Sequence, residues 1–377
     1  MTKIKDKYRG CLIGGAVGDA LGYAVEFSSE NSIFSVYGKS GITEYDYDLR
    51  SGKAIVSDDT QMTMFTETAL LDGTTRGKLR GIMGSYASYI GSEYEGWYLT
   101  QTKSFPIDKE ENYAKYSWLM NMPEMFKRRA PGNTCLSALA SGEKGTLEKP
   151  INSSKGCGGV MRVAPIGLYF SRFEHMPQEK IDTIGAEASA VTHGHELGYI
   201  PAAALVHIIN VIVKNDKLSV LQAVNDSISA MQSLFENCTN IGYFTGLMKK
   251  AVDLAQKECD DLEAIHQLGE GWVAEETLAI AVYCAIKYQD DFEKAVCTAV
   301  NHNGDSDSTG AVCGNIMGAY LGYEAIPQKY KANLEFHDVL LELAGDLLDD
   351  CQISESGECE NEKWLKKYVY KTYCMKA

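Results

Sequence analysis

The sequence lacks apolar runs long enough for a membrane span. Its longest apolar stretches are interrupted by Gly, Asn, Lys or Asp within about a dozen residues, fewer than a bilayer-spanning helix needs. The N-terminus, MTKIKDKYRG, is charged and does not resemble a cleavable signal peptide. We therefore expect neither a membrane partner nor export.

Positive charge is also scarce. The chain has 36 Lys and Arg against 51 Asp and Glu, which gives a formal net charge of −15. An acidic surface repels phosphate backbones, so a nucleic-acid partner is not expected. No block of like charge is long enough to form an interaction tail.

Paired cysteine spacings are missing as well. The 11 cysteines are odd in number, and no two of them are spaced C-x-x-C. This pattern supports neither a structural zinc site nor a disulfide framework. Most cysteines lie in apolar helical patterns, so we expect reduced thiols packed as small apolar side chains in a cytoplasmic protein.

What the sequence does contain is helical periodicity. Apolar residues recur at i, i+3 and i+4 in many segments, whereas no convincing series of alternating strands is found. The stretch 33–56 could hold a short hairpin or an extended loop, and 93–134 reads as a long connection with a short helix around 114–127. Neither a repeat nor a Gly/Ser/Pro linker divides the chain, so we predict one all-α domain over residues 1–377. The helical segments are 8–24, 58–71, 77–91, 180–191, 197–213, 218–235, 243–256, 274–287, 291–300, 309–322 and 338–350.

Glycines recur at four-residue spacing inside two of these segments. A mid-helix glycine costs roughly 1 kcal/mol relative to alanine, so repeated use predicts close backbone approach. A tight crossing with another helix is the favoured interpretation, and contact with a ligand is the alternative. The glycines are Gly14, Gly18 and Gly22 near the start, and Gly314, Gly318 and Gly322 near the end.

Two acidic clusters are the candidates for chemistry. Ser57 precedes Asp58 and Asp59 at the start of a helical segment, where a cap and first-turn acids stabilise the helix. Successive carboxylates on a helix also point about 100° apart, which suits them to two different cations. The second cluster, NHNGDSDSTG, ends at Gly310 and also opens a helix.

The second cluster does not form an EF-hand. Asp305, Asp307 and Gly310 fit the loop, but Ile316 stands where a bidentate Glu is required. Taken together, the clusters offer oxygen donors without thiolate or obligatory imidazole, a set that suits Mg²⁺ or Mn²⁺ rather than Zn²⁺ or Cu²⁺. If the fold brings them together, two divalent ions about 3.5–4 Å apart are expected, and a two-metal phosphohydrolase remains one reading.

Six segments occur in the order RGCLIGGAVGDALGYAVE, VSDDTQMT, SSKGCGGVMRVAPIGLY, THGHELGY, GWVAEETLAIAVYCAI and NHNGDSDSTGAVCGNIMGAYLG. This ordered set resembles the ADP-ribosylglycohydrolase family. The resemblance covers about residues 8–323 and leaves a C-terminal extension of about 324–377. It implies a large orthogonal helical bundle with a central binuclear Mg²⁺ or Mn²⁺ site, in a protein expected to be a monomer.

The resemblance also assigns site residues. It implies that one metal is held by Ser57, Asp58 and Asp59, and the other by Asp305, Asp307 and Ser308. Catalytic roles fall to Asp58, Asp59 and Glu26, of which Glu26 matches a mobile acid over the metals. ADP-ribose binding falls to Ser154, Gly156, Cys157, Gly158, Gly159 and His193.

The physical chemistry of the glycine-rich segment agrees with that assignment. Backbone N–H groups in such a segment can cradle phosphate without a cluster of Lys or Arg. The segment lacks the Walker A pattern, and Cys157 stands where several relatives have Asn.

The implied reaction is hydrolysis of the glycosidic bond between ADP-ribose and a modified acceptor. Arginine-linked ADP-ribose on protein is the first choice, since Ser308 matches arginine-acting relatives. Serine-linked and other O-linked conjugates, poly-ADP-ribose, O-acetyl-ADP-ribose and a silent ADP-ribose-binding homologue remain alternatives. The loops 27–56 and 93–134 are expected to shape the choice of acceptor.

Overall fold

The computed structural model describes residues 2–107, 116–354 and 356–375, and these residues form a single all-α domain. Within them no β-strand forms, and backbone pairing outside helices is limited to isolated bridges. One bridge joins Tyr47 to Ala54, so the hairpin considered for 33–56 is reduced to a single pair. The predicted all-α class is confirmed.

The helices of the described residues are numbered in chain order. They are α1 (Lys3–Tyr23), α2 (Glu30–Tyr37), α3 (Asp58–Arg80), α4 (Tyr86–Thr102), α5 (Asn133–Ala140), α6 (Ala164–Phe170), α7 (Gln178–Ala190), α8 (Glu196–Lys214), α9 (Val220–Leu234), α10 (Ile241–Ala255), α11 (Asp261–Leu268), α12 (Ala274–Lys287), α13 (Phe292–Val300), α14 (Ser306–Leu321), α15 (Gln328–Lys331), α16 (His337–Asp349) and α17 (Glu362–Trp364).

Two segment predictions around α4 are wrong. The predicted helix 77–91 spans a break, because Gly81 ends α3 with a φ of 67° and Ser85 caps α4. The predicted connection 93–134 begins with the second half of α4 and then forms short 3₁₀ turns at Trp118–Asn121 and Pro123–Phe126. Part of the helix predicted around 114–127 lies outside the described residues.

Helix α8 is the apolar centre of the bundle. By length and composition it could cross a membrane, which contradicts the expectation that no apolar stretch is long enough. Its most apolar window is 89% buried inside the protein, as in the core helix of a globular fold. Polar side chains such as His207 and Asn210 find partners there: Asn210 donates to the carbonyl of Gly167, and His207 is hydrogen-bonded to Asp182.

Helices α1 and α14 cross with their backbones in direct contact. A Cβ built on Gly14 or Gly18 would lie closer than 3.0 Å to the carbonyl oxygen of Gly314 or Gly310 on the other helix. A Cβ built on Gly310 or Gly314 of α14 would likewise lie closer than 3.0 Å to the carbonyl oxygen of Gly18 or Gly14. The glycine spacing therefore reflects a tight helix crossing, as predicted. The crossing sets the end of α1 beside the start of α14, where Gly22 meets the carbonyl of Ser306.

We expect Gly314→Ala to destabilise the protein although alanine is the better helix former. Overpacking against a backbone that cannot move aside costs about 3 kcal/mol, and helix propensity returns about 1 kcal/mol. The net loss in the free energy of unfolding is therefore about 2 kcal/mol, measured by urea denaturation. The matched control is Gly345→Ala on α16, where a Cβ meets nothing within 4 Å and no loss is expected. Equal stabilities of the two variants would contradict the crossing.

The C-terminal segment, described over residues 356–375, packs against the bundle through buried lysine side chains. The ammonium of Lys367, 1% exposed, contacts Glu342 Oε1 at 2.5 Å and the carboxylate of Asp346 on α16. The ammonium of Lys371 contacts the partly buried carboxylate of Asp72 on α3. The segment is thus held to α3 and α16 by ion pairs largely screened from solvent.

Candidate metal centre and ligand cleft

The first acidic cluster is fixed by the N-terminus of α3. Ser57 caps the helix, with its Oγ accepting the N–H of Asp59 at 3.2 Å. Asp58 and Asp59 are almost fully buried. Asp19 of α1 fixes this turn through hydrogen bonds. Its carboxylate accepts the N–H of Ser57 at 2.8 Å and the N–H and hydroxyl of Thr60. The two carboxylates therefore sit on a rigid, capped turn.

The second cluster is built in the same way at α14. Asp305 caps the helix, and the N–H of Ser308 is shared between Asp305 Oδ1 at 3.3 Å and Asp307 Oδ1 at 2.9 Å. Gly304, with a φ of 121°, makes the turn before the helix, and the N–H of Asp305 donates to the carbonyl of Glu270. Asp305, Asp307 and Ser308 are all buried.

The fold brings the two clusters and Glu26 into one cleft. Carboxylate oxygens of Glu26, Asp305 and Asp307 lie within 4.8 Å of one another. Asp58 and Asp59 line the same cleft, which has a volume of about 640 Å³. Of the six residues predicted to hold metal, Ser57 is the one that does not line the cleft surface; it caps α3, and its side chain lies beside Asp307.

These carboxylates disfavour one another's ionisation. Burial, reinforced by the charge of Asp307, holds the pKa values of Asp58, Asp59 and Asp305 well above the usual range. The same two causes raise the pKa of Glu26 to about 9. Such a cluster binds either protons or cations.

The donor set fits a divalent cation. Within the described part of the chain, Asp59 Oδ2 and Glu26 Oε2 are buried without a hydrogen-bond partner. A buried carboxylate oxygen without a partner is costly, and coordination to a hard cation satisfies it. All the clustered donors are oxygens, as Mg²⁺ and Mn²⁺ prefer.

The glycine-rich segment forms a short 3₁₀ turn, Cys157–Gly159, along the cleft. Its entry is pinned to the loop before α12, because the N–H of Cys157 donates to the carbonyl of Trp272 at 3.2 Å. A Cβ on Gly158 would lie 2.9 Å from Cys135 Sγ and 3.0 Å from His193 Cε1, so this position admits no larger residue without movement. Gly156, Cys157 and Gly158 line the cleft.

Ser154 and Gly159 are not among the residues that line the cleft. The Ser154 hydroxyl is hydrogen-bonded to the Thr134 hydroxyl at 3.0 Å, which ties the glycine-rich segment to the turn before α5. A Cβ on Gly159 would be 3.0 Å from the carbonyl of Gly198, so Gly159 permits the approach of α8. Both predicted ligand-binding residues thus have positions that support the turn.

His193 lines the cleft as a neutral imidazole. Burial, together with the nearby charge of Arg162, lowers the pKa of His193 to about 3. Its Nδ1 is hydrogen-bonded to the Thr192 hydroxyl at 2.8 Å, and that hydroxyl accepts from Arg162 at 2.6 Å. The imidazole is therefore held in place and offers its other edge beside Gly156 and Gly158.

Sequence reasoning missed several residues in or beside the cleft. Asp19 does not line the cleft but supports the turn at Ser57, and a buried acid within an apolar helix is the signal that could have identified it. Phe27 and Trp272 line the cleft and stack with ring centroids 6.2 Å apart. Arg128 and Cys135 also line it. These residues come from separate elements that the fold alone brings together.

Comparisons with known proteins agree with this architecture. A protein of Archaeoglobus fulgidus described as uncharacterized is 28% identical over 92% of this chain and 97% of its own length. ADP-ribosylhydrolase ARH3 of Mus musculus is 24% identical over 87% of each chain. ADP-ribosyl-[dinitrogen reductase] glycohydrolase of Rhodospirillum rubrum is 23% identical over 91% of this chain and 98% of its own.

A solved structure described as an ADP-ribosylglycohydrolase-related protein complex has a similar fold. Its TM-score is 0.60 at 20% identity, over 93% of this chain and 99% of that one. A sequence model of the ADP-ribosylglycohydrolase family matches residues 1–357, past residue 323 where the sequence resemblance was expected to end. The chain therefore belongs to the ADP-ribosylglycohydrolase family, glycosidases that act on ADP-ribose conjugates.

Proposed function

We propose that the cleft binds the ADP-ribose part of a modified substrate and hydrolyses its glycosidic bond with the help of two Mg²⁺ or Mn²⁺ ions. The observation that carries this proposal is the meeting of two acidic helix N-termini with a glycine-rich turn in one cleft of about 640 Å³. A cleft of this size accommodates a ligand such as ADP-ribose.

The acidic clusters would hold the cations. One set is Ser57, Asp58 and Asp59, and the other is Asp305, Asp307 and Ser308, with Glu26 beside the second set. Bound divalent cations would lower the pKa of a water molecule and orient the ribose hydroxyls. The surrounding carboxylates stabilise the positive charge that develops on the ribose as the bond at C1″ breaks.

Asp59 is the favoured proton acceptor of the attacking water. Asp58 Oδ2 already accepts the N–H of Gly132 at 3.3 Å, whereas Asp59 Oδ2 has no partner within the described chain. A carboxylate has two oxygens, so Asp59 can hold a cation with one and take the proton with the other. Glu26, whose carboxylate lies within 4.8 Å of those of Asp305 and Asp307, would hold or pass on that proton.

The nucleotide half would lie along the glycine-rich turn. Gly156 and Gly158 bring backbone into the cleft, and His193 adds a neutral side chain able to hydrogen-bond. Arg128 contributes a cation on the loop against α3. Backbone dipoles with a single cation explain how a protein of charge −15 can accept a diphosphate.

We propose that the substrate is ADP-ribose linked to an arginine side chain of a protein, so that arginine is the acceptor. Serine-linked and other conjugates remain the alternatives, because the relatives include proteins of different names at similar low identity. The presence of every expected acidic side chain argues against a silent ADP-ribose-binding homologue.

The proposal predicts metal-dependent release of ADP-ribose. Purified protein should release ADP-ribose from arginine-linked model protein in Mg²⁺ or Mn²⁺, and EDTA should abolish release until metal is restored. Serine-linked model protein is assayed in parallel to name the acceptor. Release that persists in EDTA would overturn the metal requirement, and release of phosphate instead would favour a phosphohydrolase.

A further inference from the structure

Two exposed aromatic rings meet at the cleft. Phe27 directly follows Glu26 after α1, and Trp272 lies in the loop before α12. Their ring centroids are 6.2 Å apart, with 24° between the planes. Phe27 is 77% exposed and Trp272 is 40% exposed. Core packing does not require rings left in solvent, whereas aromatic side chains exposed at a cleft are typical of binding surfaces.

The rings stand at the reactive end of the cleft. Glu26, next to Phe27, lies within 4.8 Å of the carboxylates of Asp305 and Asp307. Gly271, next to Trp272, packs against the backbone of Asp305. Hydrolysis requires C1″ of the ribose at this acidic cluster. A group attached to C1″ therefore lies beside the two rings, while the rest of ADP-ribose extends along the glycine-rich turn.

The charges of the cleft differ between its two sides. Arg128 is the permanently cationic side chain among its described lining residues, and its loop lies against α3, where the N–H of Asp58 donates to the carbonyl of Arg129. The rings flank the start of α14, accompanied by Glu26 and, two residues before Trp272, by the exposed Glu270. Arg128 is accompanied by Asp58 and Asp59, whereas the described lining beside the rings has Glu26, Asp305 and Asp307 and no cation, so the region of the rings suits a positively charged group.

We propose that Phe27 and Trp272 form a platform for the guanidinium of an ADP-ribosylated arginine, and that this platform selects arginine-linked over serine-linked substrates. The inference rests on the proposed function and names its acceptor-recognition residues. A guanidinium is planar and positively charged, so it stacks on aromatic faces and is attracted by their electron density. A serine acceptor carries neither property.

The test compares acceptors in single variants. Trp272→Ala and Phe27→Ala should each lower kcat/KM about tenfold more for arginine-linked than for serine-linked model protein, as the loss of a cation–π contact predicts. Trp272→Tyr should restore most of the preference. The carbonyl of Trp272 that accepts the N–H of Cys157 is retained in all these variants, so the glycine-rich turn keeps its anchor. Tyr243→Ala, which removes an aromatic ring 55% exposed on α10, is the matched control and should change neither rate.

A second measurement distinguishes an effect on recognition of the acceptor from an effect on binding of the nucleotide. The dissociation constant of free ADP-ribose, measured by calorimetry, should stay within about twofold of wild type in Trp272→Ala, since the ring faces the group that has left. Weaker ADP-ribose binding, equal losses on both linkages or no loss at all would each overturn the platform. Wild-type activity confined to serine-linked protein would overturn the platform but not the hydrolase. Absence of release from every linkage would instead overturn the proposed function.

Discussion

Replacing Asp307 with asparagine is expected to lower kcat/KM by roughly 10³-fold or more, the scale of several kcal/mol of lost cation and transition-state stabilisation. The charge of Asp307 acts on both halves of the site, since it raises the pKa values of Asp58 and Asp59 on α3, of Asp305 on α14, and of Glu26. No other acid in the cleft reaches all of these groups so strongly. Asparagine keeps the volume and one oxygen but removes the shared charge.

The same variant separates activity from stability. Without metal, removing one of several crowded negative charges should raise the melting temperature, because the buried carboxylates repel one another. Addition of Mg²⁺ should stabilise wild type but not Asp307→Asn. The control is Asp253→Asn on the exposed face of α10, which should leave rate and melting temperature unchanged. Normal turnover of Asp307→Asn at saturating Mg²⁺ would contradict the site assignment.

Lys367→Ala is expected to cost about 3–5 kcal/mol of folding stability, as removal of one partner from a buried ion pair does. The variant leaves Glu342 with Lys363 and Asp346 with the Tyr368 hydroxyl as remaining partners but removes their buried cation, and it also removes contacts with aromatic rings. The ammonium of Lys367 lies 5.4 Å from the centroid of Trp118 and 5.2 Å from that of Tyr373. Urea denaturation at pH 7 measures the loss.

The neighbouring lysine supplies the control for that loss. Lys366 is 55% exposed and pairs with Glu362 at 3.6 Å, so Lys366→Ala should change stability by less than about 0.5 kcal/mol. If the two lysine variants lose the same free energy of unfolding, the buried charge of Lys367 does not contribute to stability. A large difference means that residues beyond 357, where the family match ends, are part of the folded core.

Helical periodicity predicted most of the fold, because most helices present one apolar face to a common core. The predicted helix 77–91 includes the start of α4, but the rest of α4 was missed. Tyr94 and Trp97 continue the helical spacing from Ile90, yet the polar but buried Glu93 and two glycines interrupt the apolar face. The glycine spacing of α1 and α14 was sufficient to predict a tight crossing. It could not identify the partner of each helix, which depends on packing across the whole chain.

The predicted acidic side chains do lie in one cleft, and the reason they were recognisable is local. Asp58 and Asp305 each belong to a short polar cluster at a helix start, which contrasts with the apolar sequence that follows. Asp19 stands alone in an apolar helix, and Phe27 and Trp272 are aromatic residues without acidic partners of a metal site beside them, so their positions follow only from tertiary contacts. Residues recruited singly from distant elements leave little local signal.

The contact between α1 and α14 also fixes when this site comes into being. Residues 10–22 are synthesised long before residues 306–322, and at typical translation rates the interval is about 15–60 s. Throughout that time the glycine-lined face of α1 has no partner, and Asp58 and Asp59 have no opposing acids. The acidic centre therefore forms late, after most of the chain has been synthesised. A complete acidic centre requires that translation has passed α14.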